Sequence, residues 1–353
     1  MLHDVVLVTG GAGFIGSAAI RHLIRETNAS VINVDALTYA ANPNNLTEVD
    51  GDPRYRFECV DICSAAELER IFSSYEPIAV LHIAAETHVD RSIDDPLPFV
   101  QTNVLGTATL LKVACCYWRG LSPAGKEQFR FHHVSTDEVY GSLGQTGSFS
   151  ESSPYQPNSP YAASKASADH LVRAWHKTYG LPTIISNCSN NFGPYQFPEK
   201  FIPLTIINGL EGLPIPIYGR GRNVRDWLFV DDHARALSTI LKHGRIGECY
   251  NVGADNALPN IDVAGMVCDL LDETAGPLLR RKPRHELITF VTDRPGHDLR
   301  YAIDASKIRN ELKWSPHASF ESALRRTVEW YLANETWWAP LRGAAVKRLG
   351  LGR

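Results

Sequence analysis

Several marks of common protein classes are missing from this chain. Basic residues do not dominate: 35 Lys and Arg stand against 39 Asp and Glu, a formal charge of −4, and there is no Lys/Arg-rich run. That balance argues against a nucleic-acid footprint and against a polybasic membrane-surface segment. No apolar stretch reads as long enough to span a bilayer. The N-terminus enters a strand-like run at Val5-Val6-Leu7-Val8 without a signal-peptide pattern. The seven cysteines are odd in number, irregularly spaced and include no C-x-x-C. They read as buried or incidental thiols in a reducing, cytoplasmic setting, and no ligand spacing supports a metal. There is no internal repeat and no low-complexity tract.

What remains is 353 residues, 44% of them hydrophobic, enough for a large core and two lobes. Val5–Thr9 is a short, continuous apolar run, as buried parallel strands are. The run Gly10-Gly11-Ala12-Gly13-Phe14-Ile15-Gly16 follows, and a helical pattern then runs over 17–26. Glycines at this point permit a tight turn and a close approach to a pyrophosphate, and the helix N-terminus adds free N–H groups and a positive dipole end. A glycine-rich run alone is weak evidence; strand before and helix after supply the context it requires.

A second strand ends at Asp35, where a carboxylate can accept hydrogen bonds from an adenosine ribose and would repel a 2′-phosphate. The spacing favours NAD over NADP; the plainer alternative is a turn aspartate. Further strand-like runs over 56–60, 79–83 and 130–134 end at Asp61, at Ala84-Ala85 and at Ser135-Thr136, with helical patterns between them. Asp61 is a candidate for the adenine amino group. The alternation predicts an α/β fold with a doubly wound parallel Rossmann sheet, whose ligands sit at the carboxyl ends of the strands.

Two clusters follow. Tyr161-Ala162-Ala163-Ser164-Lys165 opens a predicted helix that runs to about Tyr179, with Pro160 in its first turn. Tyr161 and Lys165 fall at i and i+4, on one face. A nearby ammonium, together with a nicotinamide ring, would favour the phenolate over the ordinary phenol, and the lysine could also hold a ribose. Thr136-Asp137-Glu138 sets a hydroxyl and adjacent carboxylates just after a strand. Neighbours in a regular strand point to opposite faces, so both carboxylates reach one ligand only from an irregular loop. An acid and a base need opposite protonation states at one pH. The plainer alternative makes Asp137 a loop cap and Glu138 a solvated carboxylate.

Thr9–Gly16, Asp35, HIAAETHVDRS over 82–92, STDEVYG over 135–141 and Tyr161–Lys165 resemble the extended short-chain dehydrogenase/reductase family. STDEVYG, with SNNFGPYQFPEK over 189–200, is more narrowly similar to its nucleoside-diphosphate-glucose 4,6-dehydratases. The likeness extends through Arg225-Asp226-Trp227 and TDRPGHDLRYAID over 292–304 to about Trp338.

The resemblance implies that Tyr161 deprotonates the sugar C4 hydroxyl with Thr136 hydrogen-bonded to it. Glu138 would remove the C5 proton and Asp137 would protonate the departing C6 hydroxyl, with NAD regenerated. It implies cofactor contacts from Gly10, Gly13, Phe14, Ile15, Gly16, Asp35, Leu37, Thr38, Asp61, Ile62, Ala84, Ala85, Thr87, Ser135, Tyr161, Lys165 and Asn191. For a nucleotide-sugar substrate it implies Glu86, Thr87, His88, Thr136, Asp137, Glu138, Asn191, Glu199, Lys200, Pro216, Tyr218, Arg225, Asn260, Arg294, His297 and Tyr301. Lys200, Arg225 and Arg294 are the diphosphate candidates, since arginine can grip phosphate with a bidentate fork. A lone histidine such as His88 is more often structural.

After Asn190 the βα regularity weakens and Pro, Gly and Asn become frequent. Residues 1–190 read as the NAD-binding domain and 191–353 mainly as a smaller α/β C-terminal substrate lobe. A strand over 228–232 and a following helix are expected to return to the first lobe, within about 225–250. Trp330, Trp337 and Trp338 read as packing residues. By resemblance the protein is a homodimer through helices near 102–117 and from Tyr161.

Two competing readings stay open. A 4-epimerase or decarboxylase of nucleotide sugars needs Tyr161 and a hydroxyl but not the carboxylate pair. A non-catalytic NAD-binding module needs neither. The base, among dTDP-, UDP- and CDP-glucose, is not legible in the residues.

Overall fold

A computed structural model describes residues 4–276, 278 and 282–345. The first half alternates as follows: β1 (Val5–Thr9), α1 (Phe14–Glu26), β2 (Ser30–Asp35), β3 (Tyr55–Cys59), α2 (Ala65–Tyr75) and β4 (Ala79–His82). Short helices α3 (Val89–Asp94) and α4 (Leu97–Phe99) lead through a π-helical stretch, Val100–Gly106, into α5 (Thr107–Gly120). Helix α6 (Pro123–Gln128), β5 (Arg130–Thr136), α7 (Pro160–Tyr179) and β6 (Thr183–Cys188) follow. The second half contains β7 (Asn190–Phe192), α8 (Phe201–Glu211), β8 (Ile215–Tyr218), β9 (Val224–Phe229), α9 (Val230–His243) and β10 (Cys249–Val252). It continues with β11 (Ala257–Pro259), α10 (Asn260–Thr274), β12 (Ile288–Val291), α11 (Ser306–Leu312) and α12 (Phe320–Ala333).

Seven strands form one parallel sheet in the order β10-β6-β5-β4-β1-β2-β3. Both faces are covered, which is why β1, β4 and β6 are buried along nearly their whole length. One face packs Leu7, Val80 and Phe131 against α2, α5 and α7. The other packs Val6, Val8 and Leu81 against Ile20 and Leu23 of α1 and Leu237 of α9. The chain direction of strand succession reverses between β1 and β4, which opens a crevice at their carboxyl ends.

Helix α7 begins where its sequence says it should. The Ser159 hydroxyl accepts from Ala162 N, Pro160 occupies the first turn, and Gly180, with φ 78°, receives the chain at the far end. The rest of the second half makes a three-stranded sheet, β11-β9-β7, and a two-stranded one, β12-β8. Its core sets Phe192 and Trp227 against α8, α10 and α12. Trp330 and Trp337 stack edge-on with each other and with Tyr195. Trp337 Nε1 donates to Asn45 Oδ1 of the first lobe at 2.9 Å.

Two expectations need correction. Of the strand read over 228–232, only Leu228 and Phe229 are strand, as the end of β9, which pairs with β7 and β11; 230–232 open α9. The return is made by α9, packed on α1, and by β10, which completes the main sheet beside β6. The apolar pattern shows that a segment is a strand but not which edge it meets. Second, one helix, Leu97–Gly120, is by length and composition apolar enough to cross a membrane. In this fold half of that apolar window is buried, and α5 packs on α2 and α7.

Because Leu237 is fully buried between α9 and the sheet, Leu237→Ala is expected to cost about 2–5 kcal/mol of stability. Chemical denaturation would read this directly. A loss under about 1 kcal/mol would mean that α9 does not pack there as described.

Candidate active site

A cavity of about 310 Å³ runs along the carboxyl ends of the parallel strands. At one end lies the glycine turn. Gly10 has φ 74°, and a Cβ there would lie 2.6 Å from the Ala84 backbone. A Cβ on Gly16 would lie 2.1 Å from the Gly10 carbonyl. Helix and strand therefore approach as only glycine allows. Gly13 caps α1 without a side-chain bond, so first-turn N–H groups face the cavity uncapped. Thr9 fixes the neighbouring turn: its Oγ1 accepts from Ile83 N and Ala84 N at 3.2 Å and meets His82 Nδ1 at 2.7 Å.

Asp35 is held by Ala12 N and Leu37 N, at 2.9 and 2.8 Å, one on each carboxylate oxygen. Burial nonetheless raises its pKa, the two backbone bonds opposing. Thr38, Asp61 and Ile62 line the same end, and Asp61 Oδ1 accepts from Cys63 N at 2.8 Å. A steric cradle, free helix N–H groups and a positioned carboxylate together suit an adenosine diphosphate, so the residues present fit a dinucleotide. Of the residues expected on the cofactor, only Leu37 lies off the cavity wall; it turns the chain at φ 52° and is exposed.

At the other end stand Ser135, Thr136, Glu138, Tyr161 and Lys165. Thr136 is the last residue of β5, and Asp137–Tyr140 form a 3-10 turn capped by the Thr136 hydroxyl, which accepts from Glu138 N at 3.3 Å. This turn is the irregular geometry the adjacent carboxylates require. Asp137 is buried, and its Oδ2 has no hydrogen-bond partner. Burial first, and then the charge of Glu138, push its pKa well above the ordinary carboxylate range. Glu138 is half-buried on the cavity wall. Burial raises its pKa as well, with Arg294, Arg225 and Lys200 opposing. Both carboxyls are shifted upward, but Asp137 stands well above its ordinary range while three cations restrain Glu138, so Asp137 is the better placed of the two to hold a proton.

The protein's own groups do not favour the Tyr161 phenolate. Its phenol is raised well above its usual value, by burial first and then by Glu138 and Cys188, while the hydrogen bond to Thr136 opposes. Lys165 does not offset this; its ammonium donates to the Val134 carbonyl at 2.8 Å. Desolvation outweighs the ammonium one turn away.

Asn103 was missed from sequence. It sits in the π-helical stretch, receives Glu86 N on its Oδ1 at 2.9 Å, and donates to Glu86 O and to Ser164 Oγ. It ties the Glu86 peptide to α7. His88, a substrate candidate by resemblance, caps α3 with its Nδ1 accepting from Arg91 N at 3.3 Å. Its Nε2 lies 3.6 Å from Glu199, and burial lowers its pKa to about 3. Glu199 also accepts from Tyr39 at 2.9 Å, and Arg91 stacks on the Tyr39 ring.

Lys200 reaches the Thr87 carbonyl at 3.1 Å, and Asn191 holds Ser189 O and His233 Nδ1. Thr102, Gln196 and Phe197 also line the cavity and were not singled out; the last two lie within the SNNFGPYQFPEK run.

Beyond Glu138, Tyr218, Arg225, Arg294, His297 and Tyr301 of the second lobe lie off the cavity wall among polar partners. Asp90 accepts from Tyr218 at 2.7 Å and from Arg294 at 3.0 Å. Arg294 Nε, buried, has no partner. His297 packs its ring on Tyr218 and bonds Asp293 at 2.6 Å. Arg225 donates to Asp298 O and covers the Tyr301 ring, and Tyr301 bonds Asp298. Pro216 lies on β8, and Asn260 opens α10 with a buried, unpaired Oδ1.

This sheet, glycine turn and Thr-Tyr-Lys set define a Rossmann-type enzyme of the short-chain dehydrogenase/reductase kind. The model of the family described as GDP-mannose 4,6 dehydratase matches residues 7–327. The chain belongs to that family. It is 58% identical over 352 residues to the dTDP-glucose 4,6-dehydratase of Neisseria meningitidis serogroup B, covering 99% of each chain. It is 56% identical to dTDP-glucose 4,6-dehydratase 1 of Escherichia coli K12, over 94% of each. The structure superposes on DesIV, the dTDP-glucose 4,6-dehydratase of Streptomyces venezuelae solved with NAD and TYD bound, with TM-score 0.87 and 47% identity. That match covers 96% of this chain and 99% of DesIV.

Burial raises the Asp137 pKa, so its native value lies above its unfolded one. The stability this contributes is complete below the unfolded pKa and is lost as pH rises through the native one. Asp137→Asn, neutral at every pH, should therefore melt higher than the parent near neutrality, with the gap closing toward about pH 4. Thermal melts across pH would show it; a pH-independent gap would contradict the assignment.

Proposed function

We infer that this protein is a dTDP-glucose 4,6-dehydratase, a hydro-lyase that forms dTDP-4-keto-6-deoxyglucose with NAD regenerated in each turnover. The observation that carries the reading is the Asp137–Glu138 pair on the turn after β5. One carboxyl is buried, with its Oδ2 unpartnered, and is driven toward the neutral form, while the other faces three cations that oppose its burial. A 4-epimerase has no use for such a pair. The 58% identity to a named dTDP-glucose 4,6-dehydratase supports the same substrate.

Gly10, Gly13 and Gly16 would admit the NAD pyrophosphate, Asp35 the adenosine ribose and Lys165 the nicotinamide ribose. Bound there, NAD supplies a hydride acceptor at C4 of the sugar and a donor at C6. Tyr161, with Thr136 hydrogen-bonded to it, takes the C4 hydroxyl proton. The raised phenol makes this residue dependent on a neighbouring positive charge for its basic form.

The ketone at C4 acidifies C5–H, and Glu138 removes that proton. Asp137 then gives its proton to the C6 hydroxyl as it leaves. Lys200, Arg225 and Arg294 would receive the diphosphate, with Arg294 exchanging Asp90 for it. Tyr218, Pro216 and Asn260 would border the base.

A homodimer through the Leu97–Gly120 helix and α7 belongs to this reading. Leu97, Val100 and Leu105 are exposed apolar side chains on that helix, which suits a buried contact. A cytoplasmic setting suits its seven free cysteines.

The test is mass spectrometry of dTDP-glucose incubated with the protein in deuterated water, without added reductant. Loss of one water with one deuterium retained is expected, and parallel UDP- and CDP-glucose reactions rank the bases. An unchanged mass with all three would defeat the reading. Tyr161→Phe should lower turnover by roughly 10²–10⁴-fold, the range for losing a positioned acid–base group. Asp137→Asn should slow elimination more than oxidation, so reduced cofactor accumulates in a single turnover. Equal slowing of both steps would remove Asp137 from the acid role.

A further inference from the structure

Three successive residues at the end of β5 are each tied to a different buried polar side chain. The Val134 carbonyl takes the Lys165 ammonium at 2.8 Å. The Ser135 hydroxyl donates to Asp169 Oδ2 at 2.9 Å. The Thr136 carbonyl takes Asn187 Nδ2 at 3.1 Å, and the same amide reaches Asp169 Oδ2 at 3.4 Å.

Asp169 lies one turn beyond Lys165 on α7, fully buried. Its Oδ2 also receives the Tyr155 hydroxyl at 2.9 Å. Its Oδ1 has no hydrogen-bond partner; His133 Nε2 lies 3.2 Å away but is not aligned to donate. A buried carboxylate left half unpaired is costly unless a charge nearby compensates it. His133 first, and then the Lys165 ammonium one turn back along α7, hold its pKa below the ordinary carboxylate value against burial.

The surroundings supply almost no other charge. His133 and His82, from β5 and β4, are driven neutral by burial, His133 to about 4 and His82 well below its usual value. Cys188 and Cys249, from β6 and β10, are thiols pushed up to about 12 by burial. Tyr155, from the loop before α7, and Tyr140, from the turn after β5, are phenols raised in the same way. Arg173, a turn further along α7, bonds the Tyr155 hydroxyl at 3.0 Å. Asp169 is thus the one carboxylate, among the described residues, with a resolved attraction for Lys165, whose pKa burial lowers and Asp169 raises.

We propose that Asp169 is a positioning residue for the oxidation step: its carboxylate keeps Lys165 an ammonium and clamps the end of β5 to α7. It touches neither substrate nor cofactor and acts through Lys165 and Ser135. The inference rests on Tyr161 and Lys165 being the oxidising pair of the preceding reading.

The experiment follows reduction of bound NAD by dTDP-glucose in single turnover across pH, with the full-length parent, Asp169→Asn and Asp169→Glu. Without the carboxylate, Lys165 should lose its proton at lower pH. The alkaline limb of Asp169→Asn is therefore expected to move down by about one pH unit or more, while Asp169→Glu keeps the parent limb. A slower Asp169→Asn with an unmoved limb would leave Asp169 an ordinary core residue and overturn the proposal.

Should Asp169→Asn fail to fold, the unaltered protein still decides. Lysine isotopically labelled at Cε, with the Lys165 resonance assigned by its loss in Lys165→Met, should report an ammonium at about pH 8. A neutral amine there would refute the proposal. If the parent never reduces NAD with dTDP-glucose, the substrate reading fails, and the same resonance still decides the role of Asp169.

Discussion

The buried bond from the Lys165 ammonium to the Val134 carbonyl locks helix α7 to strand β5, and the site is assembled around that lock. Tyr161 lies one turn before the lysine and Thr136 two residues beyond the carbonyl, so the contact sets how phenol and hydroxyl meet. Asn103 extends the same frame by joining α7 to the Glu86 peptide through Ser164. Ser92 joins it from the other side, its hydroxyl accepting from Tyr161 N at 3.2 Å. The irregular turn after β5 can then offer both carboxylates without disturbing the sheet.

Desolvation is the dominant electrostatic force in this region, and it acts unequally on neighbours. Glu138 and Asp226 add to the burial of Asp137, with only Arg225 and the Thr136 hydroxyl opposing, whereas Glu138 looks toward three cations. The division of labour between adjacent acids comes from what faces each, not from the acids themselves. Asp90 plays a different part. It gathers Tyr218 and Arg294 from the second lobe onto a first-lobe helix, so the lobes are joined by charge as well as by the apolar and Trp337 contacts.

Parts of this arrangement are legible in the residues because they are local. The glycine turn is a steric requirement, Asp35 marks a strand end, and Tyr161 and Lys165 share a helix face. Asp90 is different: its partner Arg294 is 204 residues away, and nothing near either residue signals the other. Asn103 hides in a helix whose π-helical stretch no periodicity announces. The protonation state of the Tyr161 phenol is not legible, because helical spacing reports that an ammonium is near but not how much water is gone. The apolar run at 228–230 shows neither which sheet it joins nor that strand gives way to helix at Val230.

The seventh strand of the main sheet comes from Cys249–Val252, after β7, α8, β8, β9 and α9 have been made. During synthesis β6 is thus an uncovered edge, buried in the finished protein, with unpaired backbone groups along Ile185–Cys188. Closing it requires the second lobe to travel out and the chain to come back. The first lobe therefore cannot finish as an independent domain before the second is synthesised, and a chain cut between them leaves a sticky β-edge rather than a smaller stable protein.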